Sequence, residues 1–600
     1  EALNLADYKR AGRAVLKIQL ANAKEVYADN AKTLAELEEA VTSLKNAKDA
    51  LIDVNAVDAV INVEKVEGID SDFIRGVDIS TYASLMDSGV EFKDWEGNPI
   101  STGTPFFEFL KEAGINYVRL RIWNDPYDAA RHGYGAGNCD VEKAAKIGKW
   151  ATDAGMKVLL DFHYSDFWAD PGRQVVPKAW AGLAIDAKAD TLEEYTKESL
   201  NTILDAGVDV GMVQVGNETN GKLCGENNWP NMIKLFAAGS KAIRSVSTER
   251  NKDILIAVHF ANPEKVSNMK GFAKHLSDGN IDYDVFGSSY YPFWHGTLAN
   301  LTSVLSDISK TYNKKVIVAE TSWAYTLEDG DGQKNVIRSG VDVSAYDISV
   351  QGQAEEVRNV IEAVKDVGDA GLGVFYWEPA WIPVNVYDAQ AENAAEVLAA
   401  NKQAWENFGS GWASSYSISY DPNVDETNYG GSEWDNQALF DFEGYPLPSL
   451  NVFSYVETGA AVPPYLESYK ITYQLNGGTN HASNPAKYTL ADEVVFKAPS
   501  RTGYTFEGWY ADSSFTKPLK EIPEATTGDL TLYAEWKVSS PTICQTSYKI
   551  IYKLNGGTNN KNNPVGYTTK KVTLKNPVRK KPVFLRPVRK KLLFTRNGIR

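Results

Sequence analysis

Two glutamates, Glu218 and Glu320, carry the clearest chemical signal in this chain of 600 residues. Glu218 follows the apolar segment Met212–Val215 and Glu320 follows Val316–Ala319, so each ends a segment that reads as a buried strand. Two carboxyl groups that face each other across a sugar bond are the minimum equipment for glycoside hydrolysis. One must be protonated to donate to the leaving oxygen, and the other must be ionised to attack the sugar or activate water. The pair therefore predicts a glycoside hydrolase, retaining or inverting according to the gap between the carboxyl groups.

Two further polar residues suit the same chemistry. Asn217, directly before Glu218, can hydrogen-bond a sugar 2-hydroxyl group. Arg119, on another strand with a polar end, can keep the Glu320 carboxyl ionised through charge attraction. The alternative interpretation is an ion-pair network at the rim of the fold, with no role in chemistry.

Eight apolar, strand-like runs position these residues and alternate with helical stretches. The runs are 73–80, 116–123, 157–164, 210–218, 253–260, 284–291, 315–322 and 372–379. Runs that are apolar on both faces and alternate with helices are typical of a parallel sheet, and eight such units predict an α/β fold, the closed (β/α)8 or TIM barrel. A doubly wound open sheet is the alternative, although no glycine-rich phosphate loop follows the first run. In a barrel, Glu218 and Glu320 lie at the carboxyl ends of strands four and seven.

The flanking segments predict additional modules. Apolar residues at three- and four-residue steps, with Thr33 and Glu36 as a capping box, predict an N-terminal helical module. The sequence Tyr-Lys-Ile at 469 and again at 548, each followed by Leu-Asn-Gly-Gly-Thr, predicts a small all-β repeat module. The predicted boundaries are 1–55 for the helical module, 56–72 for a linker, 73–459 for the barrel, 460–468 for a second linker, 469–537 for the first β repeat and 548–600 for an incomplete second repeat with a basic tail.

No Asp or Glu follows Lys549, and the second repeat loses its pattern in this basic tail. We interpret it as a truncated or frame-shifted repeat. A segment that binds teichoic acid or a membrane is the alternative.

Four motifs resemble a known family. They are Val215-Gly-Asn-Glu-Thr-Asn, Asp161-Phe-His-Tyr-Ser-Asp-Phe-Trp-Ala-Asp-Pro, Ser288-Ser-Tyr-Tyr-Pro-Phe-Trp-His-Gly-Thr and Val374-Phe-Tyr-Trp-Glu-Pro-Ala-Trp-Ile-Pro. Between about residues 73 and 459 the chain resembles the endo-β-1,4-galactanases of glycoside hydrolase family 53. The β module resembles the internalin-type (Listeria–Bacteroides) repeat of bacterial surface proteins.

The resemblance implies an endo-acting, retaining hydrolase of β-1,4-linked galactan, the side chain of pectic type I arabinogalactan. It implies that Glu218 is the acid/base and Glu320 the nucleophile. It also implies a set of residues that contact the substrate: Arg119, His163, Asn217, Tyr290 and Trp377, with Trp168, Trp294 and Trp323 as further sugar platforms.

The segment Glu328-Asp-Gly-Asp-Gly-Gln-Lys-Asn335 has the composition of a loop that binds a hard cation, because it offers carboxylate and carbonyl oxygens. By itself it also fits a solvated turn. The resemblance implies a structural Ca²⁺ with these ligands: Asp329, Asp331, Gln333 through its carbonyl, Asn335, Ser432 and Asp435.

Net charge and the lengths of apolar runs limit the classes of binding partner. The net charge of −16 argues against nucleic acid or an anionic membrane as the main partner, and no apolar run is long enough to predict a transmembrane helix. The predicted partner is β-1,4-galactan, bound by a monomer that is secreted or attached to the cell surface, where the flanking modules could contact the cell wall. Cys139 and Cys224 could form one disulfide or remain free thiols.

Two other functions stay open. One is hydrolysis of another β-1,4-glycan, such as mannan, by the same barrel. The other is a surface carbohydrate-binding or adhesion protein in which the barrel is inert.

Overall fold

The computed structural model describes residues 3–29, 31–339, 344–424, 429–463, 466–539, 548–567, 573–578 and 594–595. The chain forms two compact units. One is Ile52–Pro464, and the other combines Glu1–Leu51 with Tyr465–Arg600. Most of the basic tail predicted at the end of the second repeat lies outside the described residues.

Two helices form the N-terminal segment: α1 (Arg10–Ala28) and α2 (Leu34–Asp49), after a 3-10 turn at Leu5–Asp7. The predicted capping box at the start of α2 is confirmed. The Glu36 N–H donates to Thr33 Oγ1 at 3.3 Å, and the Thr33 N–H donates to Glu36 Oε2 at 2.8 Å. This exchange satisfies two backbone donors that a helix start leaves open.

All eight predicted runs form strands of one closed, parallel barrel. The strands are β1 (Ile74–Asp78), β2 (Tyr117–Ile122), β3 (Lys157–Phe162), β4 (Val210–Val215), β5 (Leu255–Phe260), β6 (Val285–Ser289), β7 (Lys315–Thr321) and β8 (Gly371–Trp377). Strand β1 pairs with both β2 and β8, which closes the barrel. The (β/α)8 prediction is therefore confirmed.

Helices follow the strands and surround the barrel. They are α3 (Tyr82–Asp87), α4 (Thr104–Glu112), α5 (Val141–Asp153), α6 (Ile185–Asp205), α7 (Trp229–Arg250), α8 (Val266–Asp278), α9 (Leu298–Tyr312), α10 (Val350–Lys365), α11 (Ala394–Phe408) and α12 (Val452–Thr458). Short 3-10 segments cover Lys178–Trp180, Ser415–Ser419, Asp435–Gln437 and Pro448–Asn451. None of the helices in the described part of the chain is both long enough and apolar enough to cross a membrane.

The interior of the barrel is a packed apolar layer. It consists of inward-facing residues from all eight strands: Ile74, Tyr117, Leu159, Met212, Ala257, Val285, Ile317, Ala319 and Phe375. A filled interior of this kind leaves only the carboxyl ends of the strands free to build a site.

The segment predicted as the first linker packs on the barrel. Val57–Asp58 pairs in parallel with Ala460–Ala461, and Ile61, Val63 and Val66 are buried in the barrel's outer core. Residues on both sides of the barrel sequence are thus tied together in this unit.

The C-terminal repeat forms a four-stranded sheet of β9 (Tyr469–Gln474), β10 (Lys487–Tyr488), β11 (Tyr504–Tyr510) and β12 (Leu530–Val538). The strands lie in the order β10-β9-β12-β11. The second repeat contributes β13 (Tyr548–Ile550), β14 (Gly566–Tyr567) and β15 (Phe594–Thr595). In the same unit, Arg13 of α1 forms an ion pair with Glu524 at 3.1 Å.

Candidate active site

Arg119, on β2, is fully buried among the carboxyl ends of four strands. Its Nη1 donates to Asp78 Oδ2 and to Glu320 Oε1, both at 2.9 Å. Its Nη2 donates to Asp161 Oδ2 and to Asn217 Oδ1, both at 2.8 Å. A buried cation is tolerated only where anions pair with it, and three carboxylates do so here. One guanidinium group therefore ties the ends of β1, β3, β4 and β7 together.

Glu320 is buried near the end of β7 with both carboxyl oxygens engaged. Arg119 donates to Oε1, and the Tyr291 hydroxyl donates to Oε2 at 3.0 Å. Burial raises the pKa of Glu320, and the positive charge of Arg119 opposes that rise. Two donors, one of them a cation, stabilise the ionised form. Glu320 is therefore the member of the pair that is equipped to act as a nucleophile.

Glu218 lies just beyond β4 in a different environment. Its φ of 45° is in the left-handed region, which costs a non-glycine residue about 1–3 kcal/mol. Its Oε1 lies 2.5 Å from Ser289 Oγ, and no Lys or Arg of the described chain forms an ion pair with it. Burial, and next the charge of Glu320, raise the pKa of Glu218 well above its usual range. Glu218 is therefore the member of the pair whose surroundings favour the protonated form that a general acid needs.

A hydrogen-bond chain joins Glu218 to His259 through Ser289. Burial lowers the pKa of His259 well below its usual range, so the ring is neutral and carries one N–H. Its Nδ1 lies 2.8 Å from Asn217 Oδ1 and accepts from the Glu218 N–H at 3.4 Å. Its Nε2 lies 2.9 Å from Ser289 Oγ, and the Ser289 hydroxyl donates to Glu218 Oε1. The chain therefore surrounds Glu218 with neutral groups.

His163 contributes to the site indirectly, through its hydrogen bond to Asp161. Its Nδ1 accepts from Trp123 Nε1 at 3.0 Å and from the Ala169 N–H at 3.2 Å, so its Nε2–H donates to Asp161 Oδ2 at 3.0 Å. The ring is buried and both nitrogens are occupied by the protein. The structure thus makes His163 an orienting partner of Asp161, which differs from the predicted contact with substrate.

A cavity of about 830 Å³ is lined by Asn217 and both glutamates and has a wall of tryptophans. The wall includes three predicted platforms and two tryptophans that sequence reasoning missed: Trp168, Trp294 and Trp377, and then Trp412 and Trp434. Trp294 is the most exposed of the predicted three, at 51%. Trp434 could have been found, because it lies between Ser432 and Asp435 of the predicted calcium motif. Trp412 has no comparable signal.

Two predicted substrate residues lie elsewhere. Trp323 is fully buried, and its Nε1 donates to the Asp347 carbonyl at 3.0 Å, so it has no free face for a sugar. The Tyr290 hydroxyl donates to the Gly296 carbonyl at 2.9 Å, whereas Tyr291 lines the cavity and contacts Glu320. The structure corrects both predictions.

The physical reason for the tyrosine positions is the two-residue period of a strand. Val285 of β6 faces the barrel interior, and Ser289 contacts Glu218 and His259. Residues two apart share a face, so Tyr291 continues this inner face and Tyr290 faces the other way. The register shift between Ser288 and Ser289 places its extra residue, Ala319, on β7 and leaves this alternation unchanged.

The predicted calcium ligands come together in two loops. Carboxylate oxygens of Asp329, Asp331 and Asp435 lie within 4.8 Å of one another. Burial raises the pKa of Asp435 to about 8, and burial with repulsion from Asp435 raises that of Asp331 well above its usual range. Three carboxyl groups so close together suit a hard cation, which would neutralise them.

The remaining predicted ligands surround this cluster. Asp331 accepts from the N–H groups of Gln333 and Ser432, both at 2.7 Å. Asn335 Nδ2 donates to Asp435 Oδ1 at 2.6 Å, while Asn335 Oδ1 is buried without a partner. A buried oxygen without a hydrogen-bond partner, beside crowded carboxylates, is a ligand atom that a cation would bind.

Cys139 and Cys224 are both buried free thiols, so the alternative of a disulfide between them is excluded. Burial raises the pKa of each thiol to about 12. Neither is a reactive thiolate at neutral pH.

Residues 74–453, more than half of the chain, match the family model of glycosyl hydrolase family 53. The chain belongs to glycosyl hydrolase family 53. The Listeria-Bacteroides repeat domain matches residues 469–535. Both resemblances drawn from the sequence motifs are therefore confirmed.

Known proteins of family 53 agree with this assignment. The endo-beta-1,4-galactanase of Bacillus subtilis (strain 168) is 57% identical over 397 residues, which are 66% of this chain and 89% of the relative. The arabinogalactan endo-beta-1,4-galactanase of Cellvibrio japonicus (strain Ueda107) is 34% identical over 321 residues, covering 52% and 81%. The solved family 53 catalytic domain of Ignisphaera aggregans is 35% identical with a TM-score of 0.56, covering 66% of this chain and 99% of that one.

The coupling between the two glutamates of this family 53 chain predicts how Glu218 responds to substitution. Glu320→Gln removes a negative charge that holds the pKa of Glu218 high, so that pKa should fall. NMR titration of ¹³C-labelled glutamate carboxyl groups measures the change. Glu356→Gln neutralises another buried carboxyl group, which is not among the charges acting on Glu218, and should leave the pKa of Glu218 unchanged. An equal pKa in wild type and Glu320→Gln would contradict the coupling.

Proposed function

We propose that this chain is a retaining endo-β-1,4-galactanase that cleaves the β-1,4-galactan of type I arabinogalactan within the polymer. The observation that carries the proposal is the unequal pair of glutamates, in which Glu320 is bonded to Arg119 and Glu218 forms no ion pair with any Lys or Arg of the described residues. The substrate class is supported by family membership and by the relative named endo-beta-1,4-galactanase at 57% identity. Neither mannan hydrolysis nor an inert barrel has comparable support.

In the first step, Glu320 attacks the anomeric carbon of the sugar before the cleaved bond. Glu218 donates its proton to the glycosidic oxygen as the C–O bond breaks, so the leaving chain departs as a neutral alcohol. Arg119 and Tyr291 hold the attacking carboxylate in place through both of its oxygens. The product of this step is a galactosyl ester of Glu320.

In the second step, the same residues exchange roles. Glu218, now ionised, removes a proton from water, and the resulting hydroxide attacks the anomeric carbon. The ester bond breaks, Glu320 leaves as a carboxylate, and Glu218 regains its proton. Two displacements at one carbon restore the original configuration. Asn217, fixed by Arg119 and by its own Nδ2 bond to the Ala169 carbonyl at 2.8 Å, is placed for the sugar 2-hydroxyl.

The protein's surroundings are part of the same proposal. A polysaccharide substrate and a repeat domain of the Listeria-Bacteroides type support action outside the cell, by a secreted or surface-attached enzyme. One barrel supplies every residue that the two steps require, so we propose that the enzyme acts as a monomer. The flanking modules are then available for contacts with the cell wall.

Substitution of each glutamate tests the division of roles. Glu320→Ala and Glu218→Ala should each lower galactan hydrolysis by about a thousandfold or more, with unchanged circular dichroism. Azide added with an aryl β-galactobioside should rescue both variants through different faces of the sugar. Glu320→Ala should yield an α-galactosyl azide, and Glu218→Ala should yield the β-azide through the intact nucleophile.

Proton NMR of the azide products decides the outcome. Azides of one configuration from both variants would contradict the assigned roles. Wild-type rates in either variant would contradict the participation of that residue.

We also propose that the loop after β7 and the loop at 432–435 bind one structural Ca²⁺. The crowded carboxylates of Asp329, Asp331 and Asp435 and the unpaired oxygen of Asn335 support this proposal. The carbonyl of Gln333 and the side chain of Ser432 complete the proposed ligand set. When bound, the ion would neutralise the carboxylates and join the two loops beside Trp434.

Calcium should raise the melting temperature of the wild-type protein by several degrees, because a ligand that binds only the folded state stabilises it by about 2.7 kcal/mol at one hundred times its dissociation constant. EDTA should reverse the shift in a thermal melt. Asp331→Asn should abolish it, whereas Glu328→Gln, an exposed carboxylate on the same loop, should retain it. Equal melting temperatures with calcium and with EDTA would contradict the proposed calcium site.

A further inference from the structure

Arg121 has no part in the two displacements, although it is buried and lines the active-site cavity. It lies two residues after Arg119 on β2 and therefore on the same face of the strand. Its Nη1 donates to Glu378 Oε1 at 2.6 Å and to Asp78 Oδ1 at 3.3 Å. Its Nη2 donates to the Ala136 carbonyl at 3.3 Å. A second buried guanidinium group thus lies on the same strand as that of Arg119.

Glu378, its nearest anion, is also buried and unused by the mechanism. It directly follows Trp377 at the end of β8, with a φ of 49° in the strained left-handed region. Its N–H donates to the Asp78 carbonyl at 3.0 Å, and Thr81 Oγ1 donates to its Oε2 at 2.6 Å. These bonds hold a strained turn that keeps the carboxylate on Arg121.

The guanidinium of Arg121 is the base of a column of indole rings. Its central carbon lies 4.7 Å from the ring centroid of Trp168 and 5.7 Å from that of Trp377. Trp168 stacks on Trp412 at 4.3 Å and 20°, and Trp412 stacks on Trp434 at 5.7 Å and 11°. All of these rings line the cavity. A planar guanidinium can bond carboxylates at its edge while its flat face stacks on an indole, whereas an ammonium group is attracted to the ring but has no planar face to stack.

We propose that Arg121 is a positioning residue for substrate binding: it fixes the tryptophan column that receives the sugars, and Glu378 fixes Arg121. This role rests on the proposed galactanase function, and it identifies the residues that hold the tryptophans of the substrate-binding cavity in place. Indole faces contact the sugar rings of the ground state and the transition state alike. Loosening the column therefore weakens the binding of the ground state and of the transition state equally, which raises KM and leaves kcat unchanged.

The structure also offers a competing route, through Asp78. Its Oδ1 accepts from Arg121, while its Oδ2 accepts from Arg119, which holds the nucleophile. If Arg121 acted through this carboxylate, its loss would disturb Glu320 and lower kcat. The division of the effect between KM and kcat separates the two routes.

The test compares Arg121→Lys and Glu378→Gln with wild type on β-1,4-galactan. Arg121→Lys keeps the charge but loses the planar stack, so KM should rise about tenfold while kcat stays within about twofold. Glu378→Gln keeps an oxygen acceptor for Arg121 and should shift KM in the same direction by less. Near-UV circular dichroism should lose intensity from the stacked tryptophans in the same order.

Arg75→Lys is the matched control. Arg75 is a buried arginine on the neighbouring β1, where it pairs with Glu457 and donates to the Phe453 carbonyl at 3.1 Å. Its substitution should lower the melting temperature without changing KM or the near-UV spectrum.

A fall in kcat at constant KM in Arg121→Lys would overturn the proposal in favour of the Asp78 route. Unchanged kinetics in Arg121→Lys, or an equal rise of KM in Arg75→Lys, would also overturn it. A wild-type protein that leaves galactan intact would instead refute the proposed function. In that case the near-UV spectra would still decide whether Arg121 holds the column.

Discussion

The buried guanidinium of Arg119 is the constraint on which the active site depends. At 2.9 Å and an effective dielectric constant of about 20, its attraction to one carboxylate is roughly 6 kcal/mol, which is comparable to the desolvation penalty of a single buried ion. Burial of the Arg119 guanidinium group therefore requires several anions at once. Asp78, Asp161 and Glu320 supply them from three different strands, so the charge cluster is complete only when these strands lie together in the barrel.

The same constraint divides the labour between two chemically identical side chains. Glu320 lies within the bonding range of Arg119, whereas Glu218 faces the neutral Ser289 and His259. Burial raises the pKa of both glutamates, and the charge of Arg119 opposes the rise in both, but among the described residues only Glu320 also forms an ion pair with Arg119. The proposed nucleophile and the proposed proton donor are thus distinguished by their neighbours, and each neighbour is fixed by the end of a particular strand.

The strands could be predicted from the sequence because apolar periodicity and polar strand ends are local features. For the same reason, the positions of both glutamates at strand ends followed from their immediate neighbours. The tryptophan wall could not be predicted in full, since Trp412 reaches it from a loop distant in sequence and Trp434 has only the neighbouring calcium motif as a signal. Trp323 shares the strand-end pattern of the tryptophans that line the cavity, and only its packing distinguishes it. Tyr291 could have been predicted, because the two-residue period of β6 places it on the same inner face as Val285 and Ser289.

Neutron diffraction from a crystal of the deuterium-exchanged protein at neutral pH tests the central claim most directly, because it locates the protons themselves. We expect a deuteron on the Glu218 carboxyl group, none on Glu320, and one on only one of the two ring nitrogens of His259. A deuteron on Glu320 together with an ionised Glu218 would contradict it.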